Sequence, residues 1–527
     1  MGYVYSRTKR IYVLFPIIFI LCLLCFGSNI AWAGDPTGES IFALDFKGMS
    51  MSDNFTWVLL TGFMILFMQV GFIFLGGFLQ SKNVLSYMTH CFLATTLGAL
   101  IFLFVGFGFM FGGFEFLGTH LGGGNSFIGW SGFLLLGEAY DIRIVMLFLF
   151  QAVIATFIGS IIAGAVAERM KLSAYVISFF FIYTIIYPLY GHWIWGEGWL
   201  FSLPFGAGAR DFAGSGVVHA IGGSIAFTGA LLLGPRIGKY SKDGTPGFIP
   251  GHNVGYMILG TVLLAFGWLG YDSGSTLAAG DFRASVIAAN TFIAGAMGAV
   301  TVLYYTYLKT GASDIGEACN GFLAGLVAIS ASCAYVAPWA AVAIGFLGGL
   351  IYVTNVWFVE HKLKVDDPLG AVSVHGANGL WGLLSIGIFA DGTYGGVSGV
   401  ITGNFGQLFS QFIACIVAVT WAGGLGCLMY YVLKITIGIR VSEKVELEGL
   451  DVNLHGSPCY RLITGVEAPL GAEIEGERDV EEQRETAILE AAFAKDAKRE
   501  KIYSEKIGRW IYAKPREEKE KKKKSKR

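Results

Sequence analysis

The sequence predicts an all-α integral membrane protein with eleven transmembrane helices, arranged as a five-plus-five inverted repeat with one extra helix. The first observation is composition: of 527 residues, 54% are hydrophobic, only 14% are charged and 74 are glycine, which is typical of a membrane protein. The second is a motif that occurs twice, as DFAGSGVVHAIGG at 211–223 and as DPLGAVSVHGANG at 367–379. Each copy places one histidine in an apolar helix.

Residues 1–33 have the layout of a cleavable secretory signal peptide. A basic patch at 7–10 precedes the apolar run YVLFPIIFILCLLCFG, which is followed by AWA at 31–33. Residues 34–54 are then expected to form an extracytoplasmic N-terminal segment. The alternative is an uncleaved N-terminal helix, which leaves the topology of the remaining spans unchanged.

Eleven apolar runs long enough to cross a bilayer follow, and they define a transmembrane domain at 55–439. They cover residues 55–80, 86–112, 144–167, 173–195, 212–234, 252–271, 284–308, 315–333, 338–359, 369–390 and 405–437. Loops after the odd-numbered runs carry nine Lys or Arg residues, and loops after the even-numbered runs carry three. Because cytoplasmic loops are enriched in these residues, the N-terminus is expected outside and the C-terminus in the cytoplasm.

The repeated motif lies in the fifth run, which runs inward, and in the tenth, which runs outward. Asp367 followed by Pro368 is typical of a helix start, with aspartate as N-cap and proline at the first helical position, and Asp211 matches it. His219 and His375 lie eight residues further on, roughly 12 Å into a helix. Helices that enter from opposite faces bring both histidines to one depth near the bilayer midplane.

An ionisable side chain in the middle of a membrane is expensive and therefore indicates a function. For the histidine pair, one alternative is a hydrogen bond that holds helices together; another is a metal pair, which lacks a Cys, Asp or Glu at the same depth. Two neutral imidazoles that share one hydrogen bond can accept or relay a proton. Apolar surroundings favour a neutral guest, or one able to give up its charge, so a small, weakly basic substrate is expected. No cofactor and no metal are predicted, and the eight cysteines show no metal or disulfide spacing.

On these residues, the chain resembles the ammonium transporter (Amt/Mep/Rh) family over residues 50–456. The stretch DFAGSGVVHAIGGSIAFTGALLLGPRIG is similar to the family's span-five signature, and DDPLGAVSVHGANGLWGLLSIGIFA to its span-ten signature. Further matches are FQ at 150–151, AERMKLSA at 167–174, HWIWGEG at 192–198, GWLGYDSGS at 267–275, GEACNGFLAGLVAISASC at 316–333 and EGLDVNLHG at 448–456. The resemblance implies a homotrimer in which each subunit holds one conduction path.

The resemblance also implies the residues of that path. In the family, ammonium is recruited at an external vestibule by a tryptophan and a serine, passes an aromatic gate, loses a proton and crosses as ammonia beside twin histidines. By motif, Trp195 and Ser275 fall on the recruitment positions, His219 and His375 on the twin histidines, and Asp211 on an aspartate near the outer end of span five. Two alternatives stay open: Trp195 as part of an interfacial aromatic belt, and Asp211 as a helix cap rather than an aid to cation binding.

The chain departs from the family at the gate. Where two stacked phenylalanines are usual, this chain has Ile154 and Tyr271, and Asp272 replaces the usual asparagine. An isoleucine removes one π face and weakens the attraction of a cation, whereas an added carboxylate attracts or traps a cation. The candidate modifiers of the vestibule or pore are Gln151, Trp268, Asp272 and Glu197.

Residues 440–527 are charged and polar and are expected to form a cytoplasmic tail. The stretch 481–507 has apolar residues at helical spacing, which predicts an amphipathic helix. The terminal KEKKKKSKR predicts a basic segment that either lies against anionic lipid or is simply solvated. Because EGLDVNLHG resembles the family's regulated tail, docking of a PII-type nitrogen-signalling protein is a hypothesis.

The expected function is therefore an ammonium transporter or channel of the plasma (inner) membrane, and not an enzyme. The altered gate and the long tail favour one alternative, an ammonium sensor with little transport, and a neutral-gas channel of the Rh type is another. An intramembrane enzyme needs a nucleophile or metal ligands at the depth of the histidines, and the sequence offers none there. The net charge of -1 says little about partners, and no nucleic-acid partner is predicted.

Overall fold

The structure is a computed structural model that describes residues 45–460, 501–504 and 509–512, and it is mostly helical. The helices are α1 (Ser50–Phe78, part of a helix that begins at Asp45), α2 (Ser81–Phe111), α3 (Ile142–Val166), α4 (Leu172–Ile194), α5 (Ser215–Leu233), α6 (Val254–Gly274), α7 (Arg283–Thr310), α8 (Ile315–Ser330), α9 (Pro338–Lys362), α10 (Val372–Phe389), α11 (Phe405–Thr436), α12 (Glu443–Glu448) and α13 (Leu450–His455). Short 3₁₀ turns add Phe133–Leu135, Gly137–Ala139 and Val400–Thr402. The signal peptide predicted for 1–33 lies outside the described residues.

Within the described residues, ten helices, α1–α7 and α9–α11, are long and apolar enough to cross a membrane. The remaining predicted span corresponds to α8, which has 16 residues. At about 1.5 Å per residue it is roughly 24 Å long, somewhat less than a hydrocarbon core of about 30 Å. Each apolar run identified in the sequence overlaps one of these helices. The prediction of a helical, multi-pass membrane protein is confirmed.

Among the described residues, short strands form two antiparallel hairpins: β1 (Glu115–Phe116) with β2 (Thr119–His120), and β3 (Lys501–Ser504) with β4 (Arg509–Tyr512). In the second hairpin, Ile502 is opposite Ile511. The amphipathic helix predicted for 481–507 is therefore wrong at 501–504, because β-branched and aromatic residues in both segments favour paired strands. Residues 481–500 lie outside the described part of the chain.

The helices that carry the two histidines, α5 and α10, touch backbone to backbone. A Cβ atom added at Gly223 would lie 2.3 Å from the Cα of Gly376, and one added at Gly379 would lie 2.6 Å from the nitrogen of Ala220. The residue order along α5 is opposite to that of its partners along α10, so the two helices are antiparallel. Glycines at these positions permit the close approach that brings the histidines together.

Both of these helices begin later than the sequence predicts. Asp367 and Pro368 do not start the helix, because Gly370 has a φ of +72° and α10 begins only at Val372. Gly214, the matching residue of the first copy, has a φ of +108° and directly precedes α5. This left-handed conformation suits glycine and does not occur inside an α-helix. His219 therefore lies about 6 Å, and His375 about 4.5 Å, into its helix rather than about 12 Å.

Three loops at one end of the helices meet in a buried charged cluster, which consists of Glu168, Arg236 and Asp366. Arg236 donates to Asp366 at 2.8 Å and to Glu168 at 2.5 Å, and all three side chains are buried. Burial disfavours the charge of Asp366, but the hydrogen bonds and charge of Arg236 outweigh burial and hold the pKa of Asp366 below its usual range. The charged cluster therefore fixes the α3–α4, α5–α6 and α9–α10 loops to one another.

The start of the predicted tail packs against these loops as α12 and α13. Glu446 accepts a hydrogen bond from the amide of Ile237, in the α5–α6 loop, at 2.8 Å. Asp451 accepts hydrogen bonds from the amides of Leu85 and Ser86, near the start of α2, at 3.0 and 2.9 Å. A carboxylate at this position satisfies amide groups that a helix leaves free at its first turn. The tail is thus attached to two separate parts of the helical domain.

Candidate functional site

Each copy of the repeated motif begins with an aspartate whose carboxylate holds the start of the next helix. Asp211 accepts three amide hydrogen bonds at 2.7 to 2.9 Å, and Asp367 accepts two at 3.0 and 2.7 Å. The donors are Gly214, Gly216 and Val217 in the first copy and Ala371 and Val372 in the second. Burial raises the pKa of Asp211 to about 6, against the opposing effect of these donors. Asp211 is therefore a cap for the start of α5.

Both helices open with a π-helical segment, and each segment contains one histidine. The segments are Ser215–Ala220 and Val372–Ala377. Such segments are rare and occur frequently at functional sites. The Nδ1 atoms of His219 and His375 are 3.1 Å apart, and the two rings stack with centroids 5.1 Å apart at an angle of 20°. The structure thus brings the two predicted histidines into direct contact.

The two histidines share one hydrogen bond through their Nδ1 atoms, and each ring has a second nitrogen atom, Nε2. Because one Nδ1 atom donates to the other, the two rings hold complementary tautomers. His219 is fully buried, and its Nε2 atom has no hydrogen-bond partner among the described residues. His375 borders a cavity of about 20 Å³, which has room for one molecule the size of water. The pair can therefore accept a hydrogen bond from a small guest beside the shared bond.

Four aromatic side chains and the two histidines form a closed set of ring contacts, called here the aromatic circuit. The centroid distances around it are 5.1 Å for His219–Trp268, 5.9 Å for Trp268–Tyr271, 5.7 Å for Tyr271–Phe157, 5.5 Å for Phe157–Phe72, 6.4 Å for Phe72–His375 and 5.1 Å for His375–His219. All six side chains are buried. One member of the aromatic circuit besides His375, Phe72, also lines the cavity beside His375.

Trp195 and Ser275, the predicted recruitment residues, both lie at helix ends, and Trp195 lies close to Gly214. Trp195 follows α4 and donates from Nε1 to the Asp211 carbonyl oxygen at 2.7 Å. Ser275 follows α6 and donates to the Tyr271 carbonyl oxygen at 2.8 Å. A Cβ atom at Gly214 would lie 2.6 Å from the Tyr271 hydroxyl and 3.2 Å from the Trp195 indole. Gly214 thus lets the Trp195 and Tyr271 side chains converge near His219, and both Trp195 and Ser275 are partly exposed.

The other predicted residues lie at different depths. Ile154 is buried in α3, and Gln151 lies one turn before it, with an Oε1 atom that has no partner among the residues described. Asp272 is fully buried: one carboxylate oxygen accepts from the Thr291 hydroxyl at 2.6 Å, and the other has no partner in the described part of the chain. Glu197 is exposed in the loop after α4. Asp272 therefore contacts α7, and Glu197 lies outside the buried site.

Sequence reasoning missed two members of the aromatic circuit, Phe72 and Phe157. Phe157 had an available signal, because it follows Ile154 by three residues and so lies on the same face of a helix. Phe72 had none, because a phenylalanine in an apolar run is ordinary. Of the residues that the structure describes, no three His, Cys, Asp or Glu side chains lie together as a metal site requires.

Comparison with known proteins identifies the family. The model of the Ammonium Transporter Family matches residues 56–460. The chain belongs to the ammonium transporter family. It is 43% identical over 466 residues to ammonium transporter Amt2 of Archaeoglobus fulgidus, across 85% of this chain and 97% of that protein. It is also 35% identical over 421 residues to ammonium transporter 3 of Dictyostelium discoideum, across 77% of this chain and 93% of that protein.

Solved structures of the ammonium transporter family have the same fold. A protein described as a Sensor Amt Protein superposes with a TM-score of 0.71 at 36% identity, across 78% of this chain and 100% of that chain. Mep2 of Candida albicans superposes with a TM-score of 0.68 at 26% identity, across 79% of this chain and 91% of that chain. The resemblance inferred from the motifs is confirmed. The relatives are ammonium transporters and not enzymes.

Proposed function

We propose that this protein transports ammonium across the plasma membrane by conducting ammonia past His219 and His375. The observation that supports this proposal most strongly is the hydrogen-bonded histidine pair, buried between two antiparallel helices. The guest that fits the pair is small, able to donate a hydrogen bond to Nε2 of His219, and neutral once it has lost one proton. An alkali cation has no proton to lose, so it meets the full desolvation penalty in these surroundings.

The proposed topology has eleven crossings, with α8 as the shortest. We place the N-terminus outside and the C-terminus in the cytoplasm, on the charge bias of the loops. Helices α1–α5 and α6–α10 form the two halves of the inverted repeat, and α11 is added; the antiparallel crossing of α5 and α10 supports this division. By family resemblance, three copies assemble as a homotrimer with one path in each subunit.

Ammonium is recruited in an outer vestibule that contains Trp195 and Ser275. An indole face attracts a cation within about 6 Å, worth roughly 0.5 to 2 kcal/mol. The Ser275 hydroxyl donates its hydrogen bond to the Tyr271 carbonyl oxygen, so its own oxygen remains available to accept a hydrogen bond from an N–H group. Asp211 adds a buried negative charge behind Trp195, and Glu197 adds an exposed one near the mouth. All four features favour a cation at this place.

Below the vestibule, the ion passes Ile154 and Tyr271 and gives its proton to the histidine pair. The pair relays the proton inward while ammonia crosses beside it, so one positive charge crosses with each ammonia. The walls here are apolar or aromatic, and such walls disfavour a charge. We assign Gln151, Trp268 and Asp272 to the lining or the surroundings of this passage. Ammonia then passes the histidine pair and enters the cavity that His375 borders.

The proposal is tested by current and internal pH in proteoliposomes after an ammonium jump, with a matched potassium jump as control. A current for ammonium but not for potassium is the expected result. A pH change without current would instead indicate a neutral-gas channel of the Rh type. The absence of both a current and a pH change would contradict the transport function.

A second candidate function is an ammonium sensor, and the similarity to the Sensor Amt Protein favours it. The contacts of α12 and α13 with two separate parts of the helical domain supply a route from the path to the tail. If the protein is a sensor, adding ammonium is expected to change the protease sensitivity of the tail, and proteoliposomes that contain the protein are expected to show no ammonium flux. Flux without any such change would exclude this function.

The tail is also the proposed docking place of a PII-type signalling protein. The test is co-purification of such a protein with the full chain and with a chain that ends at residue 460, which keeps α12 and α13. Binding to the full chain alone would assign docking to 461–527. Binding to both would assign docking to the helical domain with α12 and α13, and binding to neither would contradict the hypothesis.

A further inference from the structure

The aromatic gate of the family has lost a ring in this chain, and a ring stands one turn further along the same helix. Ile154 occupies the position of one of the usual phenylalanines, and Phe157 follows it by three residues. Positions three and four apart in a helix lie on one face. Ile161 and Gly164 continue that face and line the cavity beside His375. Phe157 therefore lies on the side of α3 that faces the path, between the gate position and the cavity.

Contacts hold the Phe157 ring in one place. Its centroid lies 5.7 Å from that of Tyr271, at an interplanar angle of 64°, and 5.5 Å from that of Phe72, at 56°. Edge-to-face and tilted pairs at these distances are attractive. The side chain is fully buried. The Tyr271 ring in turn lies 6.2 Å from that of His219, so Phe157 is one ring contact away from the histidine pair.

We propose that Phe157 supplies the second ring of the gate in this chain, and that Phe157 and Tyr271 together determine which molecules reach the twin histidines. This inference rests on the proposed transport function. The ring is displaced by three residues, about 4.5 Å along α3, toward His375. The gate consequently lies next to the histidine pair rather than one turn farther out. Ile154 then lines the passage between the vestibule and the gate.

The proposal gives Phe157 a role in selectivity that ordinary core packing does not. A rigid ring in contact with Tyr271 leaves passage for ammonia but narrows it for a guest that carries a methyl group. An isoleucine at 157 has no planar ring and no π face toward Tyr271. Phe157→Ile is therefore expected to raise the transport rate of methylammonium relative to that of ammonium.

Three variants isolate the ring. Phe157→Ile removes it, Phe157→Tyr keeps it, and the double variant Ile154→Phe/Phe157→Ile moves it back by one turn without changing the composition of the helix. Phe179→Ile is the matched control, because Phe179 is equally buried and, among the described residues, its aromatic-ring contacts are with Tyr175 and Tyr183, outside the aromatic circuit.

The measurement is the ratio of methylammonium to ammonium initial rates in proteoliposomes. Phe157→Ile is expected to raise this ratio by about two- to tenfold, the effect of one aromatic contact. The double variant, Phe157→Tyr and Phe179→Ile are expected to stay near the wild-type ratio. If Phe157→Ile does not assemble, Phe157→Leu compared with Phe157→Tyr decides in its place.

The outcomes separate this inference from the function on which it rests. A wild-type protein that transports ammonium, with the same ratio in Phe157→Ile, would overturn the role of Phe157 and leave transport intact. An equal rise of the methylammonium-to-ammonium ratio in Phe179→Ile would also overturn the role of Phe157, because the loss of any buried aromatic ring would then produce the same effect. A wild-type protein without current or pH change would overturn the transport function and this inference with it.

Discussion

The two copies of the repeated motif share a backbone and differ in their surroundings. In both, an aspartate caps the helix, a left-handed glycine precedes it and a π-helical segment carries the histidine. Around the α5 copy lie the aromatic groups of Trp195 and Tyr271, with the buried Asp272 next to Tyr271 and without an ion pair among the described residues. Beside the α10 copy lies the charged cluster, which Arg236 holds together. The repeat therefore supplies the geometry of the histidine pair, and the neighbours outside the repeat give each end its own chemistry.

The largest effect is expected from the charged cluster, because the described residues show no buried ion pair at the start of α5. Arg236→Met leaves Glu168 and Asp366 buried without their cation and is expected to destabilise the protein by about 3 to 5 kcal/mol. The control is Arg283→Met, which breaks a partly exposed pair with Asp281 and is expected to cost at most about 1 kcal/mol. Thermal unfolding of the purified proteins measures both, and equal shifts would contradict the special status of the charged cluster.

The next effect tests whether the two copies are equivalent at their crossing. Gly223→Ala and Gly379→Ala each place a methyl group against the backbone of the other helix, and each is expected to cost about 1 to 3 kcal/mol or more. Gly222→Ala is the matched control, because its nearest neighbour is the Ile161 side chain at 3.1 Å. Thermal unfolding of the three variants makes the comparison. A tolerated alanine at only one of the two crossing positions would show that the copies are not equivalent.

The histidine pair is expected to respond in a non-additive way. His219→Leu or His375→Leu alone leaves one buried Nδ1 atom without its partner, at a cost of about 1 to 3 kcal/mol. The double variant removes both polar groups, so it is expected to be more stable than the sum of the single variants predicts. A double-mutant cycle from unfolding data measures this difference. Additive losses would mean that the shared hydrogen bond contributes nothing to stability.

The smallest effect separates the two caps. Asp211→Ala removes three amide hydrogen bonds and Asp367→Ala removes two. Losses of roughly 0.5 to 2 kcal/mol are expected, with the larger loss at Asp211. Unfolding midpoints of the two variants provide the ranking, and the reverse order would show that the cap of the α10 copy depends more on its carboxylate.

How much the sequence could predict depends on which force determines each feature. The helices were predictable because a lipid core requires long apolar runs, and the histidine pair was predictable from the symmetry of the two motifs. The late starts of α5 and α10 were not, because a left-handed glycine looks like any glycine in an apolar run. Phe72 was not predictable, because only the packed helices show which aromatic side chains share one space, whereas the spacing of Phe157 from Ile154 was a usable signal.

The central claim is that the conducted molecule passes the histidine pair. The direct measurement compares ammonium and potassium currents, with internal pH, in proteoliposomes that contain the wild type or the His219→Leu/His375→Leu variant. The account predicts that the double variant changes either the ammonium rate or the discrimination against potassium, because both rings that accept or share a proton are lost. A double variant with the wild-type rate and the wild-type selectivity would contradict the claim.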